Sequence, residues 1–379
     1  MVKNSSKDRI YFKNLNAIRF IAAFLVIIHH IEQFKQMFGI PHYFDNPIVE
    51  IIGKLGVVMF FVLSGFLISY LLFKEKEVTD TINIKYFYIR RLLKIWPLYF
   101  LIVFLAFFIL PKIDFFAIES LKGEMHHNFF AKILLYVFFL PNLALRLFAA
   151  IPYASHLWSI GVEEQFYLIW PGLNKKINNK WLLMFGVIGV YLLIKFSLLL
   201  LPTSATIITM KGFWDSTPID CMAIGGLFSL IIYEKTRFTV VLKKILFDKI
   251  TQWFTLILTA TLMLMAVKIP YLNYEVYAVL FGVIIVNFAA NESRLFSMET
   301  GWTNYLGKIS YGLYMYHPIT IVTAIHCLHY FGIVNDYLLY PFVVLLTVGI
   351  SAVSFEFFEN RFIRMKTSYS KIKSGSLIR

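Results

Sequence analysis

The chain has 379 residues, of which 59% are hydrophobic, 18% aromatic and only 15% charged. Soluble domains carry about 25% charged residues, so this composition excludes a soluble globular protein and predicts an all-α polytopic membrane protein. The formal net charge of +14 would suit nucleic acid, but the cations gather in short segments between apolar runs.

The first 14 residues, MVKNSSKDRIYFKN, are basic, and no small-residue cleavage site follows them. The next apolar run is therefore expected as a retained span and not as a signal peptide. Apolar stretches predict ten membrane helices, over 15–34, 48–73, 92–110, 156–172, 181–201, 217–233, 251–268, 272–290, 309–330 and 337–357. Each is near the roughly 20 residues that cross a bilayer as helix. The stretch 129–141 is short and ends in Pro141, and reads as re-entrant or interfacial. With the N-terminus inside, 25 of the 36 Lys and Arg fall in inner segments and six in outer ones, the asymmetry that orients membrane proteins. This accounts for most of the net charge without a nucleic-acid partner. The expected organisation is a cytoplasmic segment 1–14, a transmembrane domain 15–357 and a basic cytoplasmic tail 358–379, with both termini cytoplasmic. Loops 111–130 and 142–155 are the longest outer segments and are candidates for shaping an outer site. Cys221 and Cys327 lie inside apolar runs, with no CxxC pair, so neither a disulfide framework nor a zinc site is supported and no metal is expected.

Ionisable side chains inside a bilayer are costly and usually face the bundle interior. In RFIAAFLVIIHH, 19–30, Arg19 and His30 are eleven residues apart, about three turns, which leaves them about 20° apart on one helix face. His29 lies about 80° away on the other flank. A bundle-facing Arg19 thus selects His30 as the interior histidine; the alternative is that both histidines are interfacial. FFVLSGFLIS, 60–69, places Ser64 and Gly65 mid-helix, where small residues permit close packing. In YFYIRRLLKIWPLYF, 86–100, Arg90, Arg91 and Lys94 stand at the inner entrance of the third span. They suit either phosphate binding or plain anchoring. SHLWSIGVEEQFYLIWP, 155–171, carries Glu163 about 10 Å below the outer start of its span, while His30 is about 22 Å above the inner start of the first, in a core about 30 Å thick. At matched depths a carboxylate can orient an imidazole for general-base work; the alternatives are a structural polar cluster or a lysine partner for Glu163. In SYGLYMYHP, 310–318, His317 precedes Pro318, which reads as an architectural kink.

From LNAIRFIAAFLVIIHH through FFVLSGFLIS, YIRRLLKIWP and HLWSIGVEEQFYLIWP to SYGLYMYHP, nearly the whole chain resembles the acyltransferase-3 family of membrane-bound O-acyltransferases. The resemblance implies an acyl-CoA co-substrate, usually acetyl-CoA, reached from the cytoplasm. It also implies an extracytoplasmic carbohydrate acceptor, such as O-antigen, capsule, exopolysaccharide or peptidoglycan, and a bacterial cytoplasmic membrane whose lipids surround the protein. The family's first-helix Arg falls on Arg19 and its catalytic His on His30. Its Arg-x-x-Arg falls on Arg91 and Lys94, where lysine keeps the charge but loses the two-pronged donor. Its Trp-Ser-Leu segment and glutamate fall on Trp158, Ser159 and Glu163, with Ile160 in place of leucine. Some relatives carry a further extracytoplasmic hydrolase-like domain; the short basic stretch after the last span sets the expectation of a stand-alone membrane domain here.

The expected site is then Arg90, Arg91 and Lys94 on the CoA phosphates, and His30 as base or transient acyl carrier. Glu163 orients His30, Arg19 positions the donor, and His156, Trp158 and Ser159 contact the acceptor. A transporter or flippase for a lipid-linked or acidic solute is the alternative, since intramembrane ion pairs also serve as relays.

Overall fold

In the computed structural model the described residues are 9–118, 123, 127–333, 335–370 and 372–374. Most of the expected segment 1–14, part of loop 111–130 and the end of the expected tail lie outside them. In chain order the helices are α1 (Leu15–Met37), α2 (Pro47–Thr79), α3 (Ile84–Phe104), α4 (Phe129–Val137), α5 (Pro141–Leu147), α6 (Trp158–Lys176), α7 (Lys180–Leu200), α8 (Ala205–Asp215), α9 (Ile219–Tyr233), α10 (Arg237–Phe247), α11 (Lys249–Leu264), α12 (Asn273–Ala290), α13 (Gly301–Lys308), α14 (Ser310–Tyr330), α15 (Asp336–Ser354) and α16 (Asn360–Lys366). Two residue pairs form the β structure: β1 (Arg9–Ile10) runs parallel to β2 (Lys373–Ser374).

Helix starts follow the local sequence. Asn46 accepts from the Ile48 N–H ahead of Pro47, and Asn83 accepts from the Tyr86 N–H at α3. Asp248 does the same at α11, and Thr300 forms a capping box with Thr303 at α13. Each device satisfies amide donors that the first turn leaves free.

Every expected span coincides with a helix. By length and apolarity, seven helices among the described residues can cross a membrane: α1, α2, α3 with its extension to Lys112, α7, the run Ala205–Tyr233, α12 and the run Asp336–Tyr369. Of the rest, α11 is only 16 residues long, α6 carries Glu163 and Glu164, and α14 is rich in polar side chains. The stretch 129–141 holds α4, nine residues long, which is too short to cross. One boundary differs from expectation: the chain does not leave the bundle at 358. A π-helical turn, Phe355–Glu359, carries α15 into α16. Glu359 and Asn360 are buried there, and Ser354 donates to Glu359 at 3.2 Å.

Burial separates centre from rim. In both α2 and the run Ala205–Tyr233, 72% of the apolar window is inside the protein, against 22% for α7. Exposed Leu182, Leu193, Phe254, Ile257 and Leu345 on α7, α11 and α15 form the outer girdle, as helices facing lipid require. At the centre, α2 and α9 meet backbone to backbone. A Cβ on Gly65 would stand 1.8 Å from the Met222 carbonyl oxygen, and one on Gly225 would stand 2.1 Å from that of Val62. Only glycine fits either place, the small-residue packing on which membrane helices rely.

Gly65→Ala and Gly225→Ala are each expected to lower the thermal midpoint of the detergent-solubilised protein, at a cost of at least about 1–3 kcal/mol. Gly186→Ala on α7, where a Cβ meets nothing within 4 Å, serves as the neutral control. Equal melting of all three variants would refute the backbone contact.

Candidate active site

The lower half of the bundle, where α1 and α3 begin, encloses a cavity of about 270 Å³ between α1, α2, α3, α6, α14 and α16. Its lining includes four cations, Arg19, Arg91, Lys94 and Lys366, and one carboxylate, Glu163. An excess of buried positive charge is costly without an anion to balance it. On α3, Arg91 and Lys94 are three residues apart and share the face that lines the cavity. The Arg91 guanidinium lies over the Phe87 and Tyr167 rings, 5.6 and 5.5 Å from their centroids, which holds the cation while leaving its edge open. Glu163 is fixed from α6 by the Tyr167 hydroxyl at 3.4 Å, and that hydroxyl also bonds Ser64 on α2. At the mouth, Tyr11 donates to Glu299. Burial would raise the Glu299 carboxyl, but hydrogen bonds from the Asn14 amide, Tyr11 and Asn304 outweigh it and hold the group below its usual range.

Toward the other end of α1 is a smaller pocket of about 80 Å³, lined by His30, Gln33, Phe34, the 150–153 turn, His156 and Pro318. Between the two cavities stands a wall of rings. His317 is fully buried, with its ring 4.7 Å from that of His30 and 5.0 Å from that of His156. The Tyr314 hydroxyl lies 2.7 Å from both Ser159 Oγ and the His156 carbonyl oxygen, and Tyr314 and Ser159 line the larger cavity.

The hydrogen bonds fix the protons. His30 Nδ1 is 2.9 Å from the Val26 carbonyl oxygen, and His317 Nδ1 is 2.6 Å from that of Tyr314. A carbonyl only accepts, so each Nδ1 carries the hydrogen and each neutral ring keeps a bare lone pair on Nε2. Among the described residues, His317 Nε2 and His156 Nε2 have no partner.

Residues 12–356 match the family model described as the acyltransferase domain. The chain belongs to that family. Among the curated relatives, the acyltransferase region resembles the peptidoglycan O-acetyltransferase OatA of Listeria monocytogenes, 26% identical over 86% of this chain and 52% of that protein. It also resembles a putative O-acetyltransferase of Staphylococcus aureus strain COL, 31% identical over 42% of this chain and 24% of that one. The putative peptidoglycan O-acetyltransferase YrhL of Bacillus subtilis is 26% identical over 48% of this chain and 25% of its own length. The chain thus spans about half the length of the first of these relatives and matches about a quarter of the others. No solved structure matches.

In this acyltransferase domain the expected residues divide between the two cavities. Arg19, Arg91, Lys94, Ser159 and Glu163 line the larger one, His30 and His156 the smaller one, and Trp158 packs on Phe61 outside both. Of the two adjacent histidines, His30 lines the smaller cavity. His29 Nδ1 sits 2.7 Å from the Val49 carbonyl oxygen with its ring against Gly53 of α2, turned away from both cavities. Two expected partnerships are not made. No hydrogen bond or ion pair joins Glu163 to His30 among the described residues: Glu163 lines the larger cavity with Arg19, Arg91 and Lys94, and His30 lies beyond the wall of rings. Arg90 lies outside the cavity, held by Glu75 at 2.8 Å and by the Tyr369 carbonyl oxygen at 2.9 Å. Its place is taken by Lys366, which the continued helix brings in from the stretch expected as tail. His317, expected as architecture, has its ring 4.7 Å from that of His30; the signal was an ionisable side chain in the middle of an expected span.

Arg90→Gln and Glu75→Gln are each expected to lower the melting temperature, and the double variant by little more than either. That corresponds to a coupling of about 1 kcal/mol in a double-mutant cycle. Fully additive losses would mean that the pair is not formed.

Proposed function

We propose that the protein moves an acyl group from acyl-CoA in the cytoplasm to a hydroxyl of an extracytoplasmic glycan, as a multi-pass protein of a bacterial cytoplasmic membrane. The names of the relatives favour acetyl as the group and peptidoglycan as the acceptor. The observation that carries this reading is the pair of cavities, one cationic and one histidine-lined, back to back across a single wall of imidazole and hydroxyl groups. On this reading the ten helices all cross, both termini are cytoplasmic, and the larger cavity opens to the cytoplasm.

The CoA phosphates rest on Arg91, Lys94 and Lys366, with Arg19 deeper along the same cavity. The thiol arm reaches Tyr314 and Ser159, so the charged nucleotide never enters lipid. In the outer pocket, His30 Nε2 takes the acceptor hydroxyl proton as the hydroxyl oxygen bonds to the thioester carbonyl carbon. The C–S bond breaks, and the leaving thiolate ends as the CoA thiol after taking up a proton. Overall, acyl-CoA and alcohol become ester and CoA. His317 packs on His30 and holds its ring in place, and Tyr314 and Ser159 offer hydroxyl donors on the donor side of the wall. Glu163 balances the lysine and arginine charge of the donor cavity instead of orienting His30. Arg91 supplies the planar donor that Lys94 lacks.

The test is CoA release from acetyl-CoA by the reconstituted protein with muropeptide glycan as acceptor, read as free thiol. His30→Ala is expected to lower the rate by about 10²–10⁴-fold, while His29→Ala keeps most of it. Arg91→Ala and Lys366→Ala are each expected to raise the acetyl-CoA KM about tenfold, the worth of one charge-assisted contact. Movement of a solute by wild-type protein without any acyl-CoA consumption would replace this reading with the transporter.

A further inference from the structure

A third cavity of about 350 Å³ lies at the His30 end of the bundle but on the far side of α2, between α2, α7, α8 and the α11–α12 loop. It plays no part in the reaction described above. Its charge is unusual for its position. Outer segments are poor in cations, with six Lys and Arg in all, yet Lys211, Lys268 and the embedded Lys54 and Lys195 converge on this one space from four different elements. Arg146 backs the same wall: a Cβ on Gly212 of α8 would stand 3.2 Å from its guanidinium.

Two of these charges are matched. Lys195 pairs with buried Glu275 at 2.7 Å, and Lys268 with exposed Glu50 at 2.6 Å. Among the described residues Lys54 and Lys211 make no ion pair or hydrogen bond, and the remaining lining acid, Asp215, is exposed. One half-buried lysine, Lys211, and one exposed lysine, Lys54, thus line this cavity without a partner among the described residues.

The uncharged lining combines three aromatic rings, Trp214, Tyr271 and Tyr274, with Ile51, Leu198, Leu199 and Asn273. Trp214 is locked against Tyr191, with centroids 5.2 Å apart and planes 20° from parallel, and its indole N–H donates to the Tyr191 carbonyl oxygen at 3.2 Å. Tyr271 is presented by a loop in which both it and Ala266 have left-handed backbone, φ 62° and 49°. Side chains other than glycine adopt that conformation at a cost, which surrounding structure must impose, and such residues collect at binding sites. Fixed aromatic faces suit the apolar C–H faces of sugar rings, and free ammonium groups suit an acidic substituent.

We propose that this cavity is a subsite for an anionic glycan, one whose sugars carry carboxylates, separate from the pocket of His30. The proposal rests on the reading above in placing this end of the bundle outside the membrane. The subsite holds a neighbouring stretch of the same acceptor polymer while its hydroxyl is presented on the other side of α1 and α2.

Binding is measured in nanodiscs of phosphatidylcholine without acetyl-CoA, by tryptophan fluorescence with Trp214→Phe as the reporter control. The probes are glycan strands carrying muramic carboxylates and neutral chitooligosaccharides of equal length. Wild-type protein is expected to bind the carboxylated strand about tenfold more tightly, the worth of one good charge contact. Lys54→Glu/Lys211→Glu is expected to lose that preference without changing the acetyl-CoA KM, and Lys54→Gln/Lys211→Gln to lose most of it. Equal binding of both probes by wild-type protein, or an unchanged preference in the variants, overturns the proposal. So does a lysine-dependent signal produced by phosphatidylglycerol nanodiscs and not by glycan, which would assign the cavity to a lipid headgroup. Lysine-dependent glycan binding in a protein that never releases CoA would leave the subsite standing and remove the transferase reading.

Discussion

The backbone contact of α2 with α9 is the constraint on which the rest of the molecule depends. Because Gly65 and Gly225 carry no side chains, α2 sits at the centre, and its successive turns then set its other neighbours. Gly53 receives the His29 ring, and Gly56 lies against the Ala22 carbonyl oxygen, so α1 is fixed in rotation and His30 turns to the opposite side. Ser64 holds Tyr167, and Ser69 accepts from the Trp170 indole N–H at 3.0 Å, which sets α6 and the direction of Glu163. Glu75 takes Arg90, so α3 turns Arg91 and Lys94 inward. A single helix thus aims the ionisable groups of three others.

Electrostatics explains why these groups are segregated. A charge in an apolar bundle costs several kcal/mol unless it is paired or reaches water. Lys35 is buried but bridges Glu32 and Asp336, both at 2.8 Å, and Lys195 is answered by Glu275. These pairs are structural ties between helices. The larger cavity does the reverse, keeping four cations against one carboxylate where the space is accessible. Charge left unmatched in this way is suited to a ligand that brings its own, and in the proposed reaction the CoA phosphates do so.

How much of this was legible in the sequence follows from which quantities a one-dimensional pattern carries. Hydropathy placed a helix at each of the ten expected spans but not α5, α8, α10, α13 or α16, and about 100° of rotation per residue put His29 and His30 on different flanks, because both are properties of a single helix. The inward pairing of Arg91 with Lys94 is of the same kind. What required a second helix was not legible. Counting rise from each helix start set Glu163 level with His30, but the packed helices put them in different cavities, and the rotation of α6 is set by Ser64 and Ser69 on α2. Arg90 looked equivalent to Arg91 until Glu75 claimed it. Lys366 was hidden because a π-helical turn does not interrupt the chain with glycine or proline, and a basic stretch after the last apolar run reads as solvated tail.

The wall between the cavities sets a condition that any acyl transfer here must meet. The larger cavity ends at Tyr314 and Ser159 and the smaller begins at His30 and His156, so in the proposed reaction a thioester carbonyl and an acceptor oxygen approach each other only where these side chains stand. His317 is fully buried between the two imidazoles that border the outer pocket, and the Tyr314 hydroxyl is shared between Ser159 and a backbone carbonyl. The Ser159 hydroxyl can donate to the Tyr314 hydroxyl while Tyr314 donates to the His156 carbonyl oxygen, so both contacts are made together. This hydroxyl pair and the packed imidazoles fill the layer between the two cavities. The same layer that separates the compartments thus holds the groups that the proposed chemistry uses, which is why neither cavity alone accounts for the site.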